Sequence, residues 1–163
     1  MIEQSRNLWP TIEQTITRTP LSILREQATY LGQQTHNIIL GDVKSQQVSG
    51  TYTIAHYFYI VAPALGNYRY LLLHITHSAA LLYPSQIYFD ALKNKNLANS
   101  IIDNPQPITD TNFVYNSLMT NINLVVPVQV KDEIEFTEEL QKIFSHENSL
   151  NIIRSLMVQS QEV

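Results

Sequence analysis

The chain contains no cysteine among its 163 residues. This excludes disulfide bonds, thiolate nucleophiles, iron–sulfur clusters and every zinc site that includes a cysteine ligand. Glycine is also scarce, and four scattered copies cannot build a glycine-rich loop for phosphate. The absence of cysteine, together with frequent Asn, Gln and Ile residues, predicts a cytoplasmic protein of bacterial or phage origin.

Charged residues are few, at 15% of the chain against roughly 25% in typical soluble domains. The ten lysine and arginine residues are scattered and the net charge is -4, so there is no basic stripe of the kind that nucleic-acid binding requires. No apolar run approaches the roughly 20 residues that span a bilayer, and the N-terminal segment lacks the pattern of a signal peptide. We therefore expect neither nucleic acid nor membrane as a partner. A weakly charged surface instead favours contact with another protein.

The length and a hydrophobic content of 44% predict a single α+β domain over residues 1–163. Thr19 and Pro20 are typical of a helix start, and an apolar stripe of Leu21, Leu24, Ala28 and Leu31 extends that helix to about residue 34. Weaker patterns predict helices within 91–108 and from about 109 to 120. Two further helices are expected, one from Thr137 and one over about 148–160. We expect the N- and C-terminal helices to pack on a sheet.

Runs of strand-forming residues indicate four strands at about 37–44, 51–61, 68–77 and 84–89. Short connections require antiparallel pairing, so the region 37–89 is expected to form a meander. The alternation of apolar and polar residues that begins at Asn123 predicts a fifth strand over 123–131, and the alternation continues to Phe136. Pro127 places this strand at a sheet edge or at a bulge, because proline donates no backbone hydrogen bond.

The segment 51–78 has an unusual composition for a hairpin, because both strands are apolar on both faces and Arg69 carries the only charge. A hairpin in an ordinary two-layer domain has one polar face. Helices, a ligand or another chain must therefore cover the second face.

Three histidines of the hairpin are candidates for chemistry: His56, His74 and His77. The last two are separated by an odd number of residues, so they are expected on opposite faces of one strand. His56 and His74 can meet only in a register that pairs even positions with even positions, for example residue 56 opposite residue 74. Because no HxH or HExxH spacing is present, we expect no metal site and no cofactor.

The tyrosines concentrated in the sheet region could form a packed core, line a ligand pocket or form a protein interface. Arg69 lies among apolar neighbours and shares its strand parity with Leu71, Leu73, Ile75 and His77, so it needs a partner if it is buried. The expected partner is Asp42 or Asp90, or an anionic group on another molecule. The candidate ligand or interface residues are His56, Tyr57, Tyr59, Tyr68, Arg69, Tyr70 and His74.

No GxSxG or SxxK motif supports a serine nucleophile, and the spacing of the acidic residues over 132–139 indicates a solvated surface. We therefore predict no catalytic residue. The favoured function is that of a non-catalytic binding or regulatory protein that acts through a protein–protein interface and can form a homodimer. The alternative is a small-molecule-binding or hydrolytic pocket between sheet and helices, with His56, His74 and Arg69 as polar anchors. An antitoxin or immunity protein with an acidic contact surface is a variant of the first hypothesis.

Overall fold

A computed structural model of the chain describes residues 7–13, 17–89 and 127–163. Along the chain, the described helices and strands follow the order one helix, five strands and two helices. Their bounds are α1 (Pro20–Gln34), β1 (Leu40–Gln47), β2 (Thr53–Ala62), β3 (Tyr68–Ser78), β4 (Ser85–Phe89), β5 (Val128–Val130), α2 (Glu133–Ser145) and α3 (Glu147–Gln161). The helices predicted within 91–120 and the start of the strand predicted at 123–131 lie outside the described residues.

The five strands form one antiparallel sheet in the order β1-β2-β3-β4-β5. This arrangement confirms the predicted α+β class and the meander, and it places the fifth strand at an edge of the described sheet, as predicted. The first strand begins three residues later than predicted, at Leu40. None of the described helices combines the length and the apolar character needed to cross a membrane.

Helix α1 begins as its sequence predicts. The hydroxyl of Thr19 accepts a hydrogen bond from the backbone N–H of Ser22 at 3.0 Å, and Pro20 occupies the first turn, where no amide is lost. The innermost side chains are Ile23 and Leu24, which are fully buried, whereas Leu21 is only half-buried. The inward stripe is therefore centred closer to Ile23 than the sequence pattern indicated.

Helix α1 approaches β1 unusually closely at Gly41. A Cβ atom placed on Gly41 would lie 2.4 Å from the Cα of Ala28. The two backbones can be this close only because neither residue carries a side chain larger than a methyl group. This contact fixes the position of α1 on the sheet.

Strand β2 of the central hairpin is buried on both faces, as expected, because every residue from Ala55 to Ala62 is buried, whereas Tyr68 to Leu71 of β3 are half-buried. The 3-10 turn Pro63–Leu65 and the left-handed residues Gly66 and Asn67 connect β2 to β3. Phe58 pairs with Leu73 whereas Tyr59 pairs with Leu71, so Leu72 is an extra residue in β3. This β-bulge reverses the facing of the residues on its two sides.

The bulge corrects the predicted parity of Arg69. Arg69 and Leu71 lie on one face of the sheet, whereas Leu73, Ile75 and His77 lie on the other. The sequence Leu71-Leu72-Leu73 carries no polar residue that could reveal the change of face.

Helix α2 begins earlier than predicted, at Glu133 instead of Thr137. The carboxylate of Asp132 accepts a hydrogen bond from the N–H of Glu135 at 2.9 Å and caps the helix. Phe136, which the alternation placed on a strand, is therefore helical and is buried together with Leu140 and Ile143 at helical spacing. The polar–apolar alternation continued into the helix only because the first helical turn has Glu133 and Glu135 on either side of Ile134.

Candidate functional site

The two faces of the sheet have different environments. On one face, which we call the helix face, Phe58, Ile60, Ile75 and Ile87 pack against apolar side chains of α1, α2 and α3. On the other face, Ala55, Tyr57, Tyr59 and Val61 form a separate cluster with Leu71 and Val48. We call this second surface the aromatic face and define it by Asp42, Tyr57, Tyr59, Arg69, His74 and Tyr88.

Three aromatic rings are stacked in a row across the aromatic face. The register places Tyr57 of β2 opposite His74 of β3, and His74 opposite Tyr88 of β4. The centroids of Tyr57 and His74 are 5.6 Å apart, and those of His74 and Tyr88 are 4.3 Å apart with an interplanar angle of 5°. Stacked cross-strand pairs of this kind stabilise a sheet and hold the rings in fixed positions.

Beside this row, Arg69 contacts two side chains at once. Its guanidinium carbon lies 4.7 Å from the centroid of the Tyr59 ring, and its Nη2 donates to the carboxylate of Asp42. The Nζ atom of Lys44 lies 3.6 Å from the same carboxylate. Asp42 is thus the partner of Arg69, as predicted, whereas the other candidate, Asp90, lies outside the described residues.

Burial changes the acid–base behaviour of this face. Tyr57, Tyr59 and His74 are only 5%, 6% and 8% exposed. Burial lowers the pKa of His74 to about 4, so its ring is neutral near pH 7. Burial also raises the pKa of Tyr59, and the positive charge of Arg69 opposes that rise only in part. The face therefore holds a neutral His74 ring beside the charged group of Asp42, Arg69 and Lys44.

The structure brings together four of the seven predicted candidate residues and separates the other three. Tyr57, Tyr59, Arg69 and His74 share the aromatic face, whereas His56, Tyr68 and Tyr70 lie on the helix face. Residue 74 is paired with Tyr57, so the register that would bring His56 and His74 together is not formed. The bulge at Leu72 moves Tyr68 and Tyr70 away from Tyr57 and Tyr59. The anchors of the alternative pocket, His56, His74 and Arg69, are therefore divided by the sheet.

On the helix face, His56 forms a pair that sequence reasoning missed. His74 and His77 do point to opposite faces, as predicted, and His77 faces the same side as His56. The Nε2 atoms of His56 and His77 are 2.9 Å apart, and the two residues are 3% and 7% exposed. The residues are diagonal neighbours, because His56 is paired with Ile75, two positions from His77.

The hydrogen bonds around this pair define its tautomers. Nδ1 of His77 lies 2.8 Å from the carbonyl oxygen of Ser78 and 3.3 Å from that of Leu81. Carbonyl oxygens only accept, so this Nδ1 carries the hydrogen and, with both rings neutral, Nε2 of His77 accepts from Nε2–H of His56. Nδ1 of His56 is then the acceptor for the hydroxyl of Ser45, whose Oγ is 2.7 Å away. We call this chain the Ser45–His56–His77 relay.

The relay had no local sequence signal. Ser45, His56 and His77 come from three adjacent strands, and they meet only because Ser45 is directly opposite His56 in the β1–β2 register. Burial, the neighbouring His77 and the positive charge of Arg25 together lower the pKa of His56 to about 4. Within residues 7–13, 17–89 and 127–163, no group of three or more His, Cys, Asp or Glu side chains could hold a metal ion.

No protein-family model matches the chain, and no curated protein or solved structure shows significant similarity to it.

Proposed function

We propose that this protein functions by binding another protein through the aromatic face, with a second copy of the chain as the partner. The observation that carries the proposal is the fixed row of Tyr57, His74 and Tyr88 beside the Asp42–Arg69 pair. Tyrosine and arginine are enriched at the centres of protein interfaces, where a large rigid contact area is combined with directed hydrogen bonds.

The stacked rings would contribute rigidity more than contact area. Tyr57, Tyr59 and His74 are already enclosed within the chain, so binding would cost little of their conformational freedom. Accessible contact area comes from the residues around them: Lys44 and Gln86 are exposed, and Tyr88 is half-buried.

The charges on this face favour a symmetric contact. Asp42 and Lys44 carry opposite charges two residues apart on the edge strand β1. In an interface with two-fold symmetry, the same patch meets itself, so Lys44 of one copy can approach Asp42 of its partner. A low content of charged residues, 15% of the chain, reduces the desolvation that such an interface requires.

A charge reversal tests the proposal directly. Size-exclusion chromatography with multi-angle light scattering should show a concentration-dependent dimer. Lys44→Glu places a like charge beside Asp42 of the partner and should weaken dimerisation about tenfold or more.

Lys142→Glu is the matched control. It makes the same change of net charge on α2, where Lys142 is 72% exposed and contacts Glu139, away from the aromatic face. Its dimerisation should equal that of the unmodified chain. Two results together would contradict the proposal. The chain would be a monomer at all concentrations, and Lys44→Glu would not reduce the capture of any protein by the immobilised chain.

We further propose that the protein works in the cytoplasm. A chain without cysteine cannot form the disulfide bonds that are common in proteins of oxidising compartments.

A further inference from the structure

The relay has the arrangement of an activated nucleophile. A hydroxyl becomes nucleophilic when a base lies within hydrogen-bonding reach and a third group holds that base in the correct tautomer. In this chain, Oγ of Ser45 is 2.7 Å from Nδ1 of His56, and Nε2 of His56 is 2.9 Å from Nε2 of His77. The carbonyl oxygens of Ser78 and Leu81 hold His77 in turn.

Exposure differs along the relay in the way a reaction would require. Ser45 is exposed, whereas His56 and His77 are buried. A substrate can therefore approach the residue Ser45 from solvent, while the two imidazoles are shielded from water and keep their orientation.

We propose that Ser45 is a nucleophilic hydroxyl that accepts an acyl group from an activated carboxylic ester, with His56 as general base and His77 as a positioning residue. This activity goes beyond the proposed interface and does not depend on it, because the relay lies on the helix face and the interface on the aromatic face.

The acylation step balances without a further reactant. Oγ of Ser45 attacks the carbonyl carbon of the ester while its proton passes to Nδ1 of His56. The new bond joins Oγ to the acyl carbon, and the bond between that carbon and the leaving oxygen breaks. The proton then passes from His56 to the leaving oxygen, which departs as an alcohol and leaves Ser45 as an ester.

Hydrogen-bond donors for the developing oxyanion are available in the backbone of β1. This strand lies at the edge of the described sheet, so every second N–H points away from β2. Because the amides alternate, an outward N–H belongs either to Ser45 itself or to both Lys44 and Gln46. Such donors stabilise a tetrahedral intermediate next to the attacking oxygen.

The charged and titratable groups around His56 keep its lone pair free at neutral pH. Burial, His77 and Arg25 all lower the pKa of His56, to about 4, so Nδ1 is unprotonated and able to accept the proton of Ser45. A base with a lowered pKa is a weaker base, and its contribution to the rate falls at the low end of the usual range, about 100-fold.

The first test uses p-nitrophenyl acetate as the acyl donor. The full chain should release one equivalent of p-nitrophenolate in a burst, and mass spectrometry should locate one acetyl group on Ser45. Ser45→Ala should abolish the burst, and His56→Gln should slow it about 100-fold. Ser49→Ala is the control, because Ser49 is also an exposed serine, in the β1–β2 turn and without a histidine partner, and it should leave the burst unchanged. Acetyl groups on lysines with Ser45 unmodified would overturn the proposal, as would an unchanged burst in Ser45→Ala.

A second test remains informative if His56→Gln fails to fold. Because the chain has no cysteine, Ser45→Cys and Ser49→Cys each introduce a single thiol. A base next to residue 45 should make the first variant react with iodoacetamide about tenfold faster than the second at pH 7. Equal or slower alkylation at residue 45 would show that His56 does not activate it.

The role of His77 is tested by the pH dependence of acetylation. His77 lowers the pKa of His56, so in His77→Gln the acid limb of the rate profile should move from about pH 4 toward the ordinary histidine range. His77→Gln also keeps an oxygen that can accept from Nε2–H of His56, and it should retain more of the rate than His77→Leu. A purely structural role would lower the rate in both variants equally and leave the acid limb in place.

Discussion

Arg69 and Asp42 form an ion pair across the sheet although they are 27 residues apart in the chain. Each side chain is 32% exposed, and the guanidinium group also covers the ring of Tyr59. The pair thus joins the edge strand β1 to β3 over the intervening strand β2.

The Asp42–Arg69 pair should show measurable coupling. We expect a double-mutant cycle of Asp42→Asn and Arg69→Met, measured by urea denaturation, to give about 1 kcal/mol, the upper end for partly exposed pairs. The same cycle on Glu139 and Lys142, a pair within α2, should give a smaller coupling, because Lys142 is 72% exposed and solvent screens the pair. Coupling at Asp42–Arg69 no larger than at the helix pair would show that the contact with Tyr59 adds nothing.

Stability should decrease as pH falls from about 6.5 to 4 because of the buried histidines. The pKa of His56 and of His74 is about 4 in the folded chain, against 6.5 as the ordinary value. Between these values the unfolded chain binds more protons, so the free energy of unfolding decreases as the pH is lowered, by about 3 kcal/mol for each histidine over the full interval. The stabilisation is complete above pH 6.5.

His74→Phe isolates one of these two contributions. Titrating carboxylates affect the variant and the unmodified chain alike, so the difference between their unfolding free energies at pH 7 and pH 4.5 reports His74. We expect the variant to lose less stability on acidification. Parallel curves of stability against pH would contradict the assignment.

Gly41→Ala should displace α1 from the sheet. The added Cβ would lie 2.6 Å from Cβ of Ala28 and 3.0 Å from its carbonyl oxygen, and backbone must move to make space. We expect a loss of about 1–3 kcal/mol in the free energy of unfolding. Gly66→Ala is the comparison, because its φ is +67° but its Cβ meets no atom within 4 Å, so its loss reflects backbone strain alone.

The capping hydrogen bond of Asp132 and the negative charge of its side chain should make separable contributions to stability. Asp132→Ala removes the acceptor for the N–H of Glu135 and should cost about 1 kcal/mol in thermal or urea unfolding. Asp132→Asn retains an oxygen acceptor and should cost much less. Equal losses in the two variants would mean that the negative charge at the helix N-terminus, and not the hydrogen bond, provides the stabilisation.

The strands and their pairing could be predicted because they depend on local signals. A period of two, short turns and the absence of a crossover are sufficient for an antiparallel meander, and a lone charge in an apolar strand is sufficient to require a partner such as Asp42. The change of period at Asp132 was harder to detect, because Glu133 and Glu135 fit both an exposed strand face and a first helical turn. Only the capping hydrogen bond distinguishes the two.

The candidate sites were less predictable because they depend on the registers of several strands at once. His56 and His77 meet only if β2 and β3 are aligned to the residue, and Ser45 joins them only if β1 is aligned as well. A shift of one residue would move each side chain to the opposite face. Composition and spacing carry no information on alignment at that precision.

The bulge at Leu72 makes the local backbone of β3, and not only its composition, a determinant of what each face contains. Leu72 is the extra residue between the pairs Phe58–Leu73 and Tyr59–Leu71, so its deletion would leave those pairs and the faces of both strand halves unchanged. Regular pairing with Leu72 retained would have the opposite effect. If the His74–Ser78 half kept its alignment, Arg69 would then lie opposite Ala62 and face the hydrophobic core on the helix face. The bulge therefore keeps a positive charge out of the hydrophobic core, and a chain that lost both the bulge and Leu72 would still keep Arg69 beside Asp42.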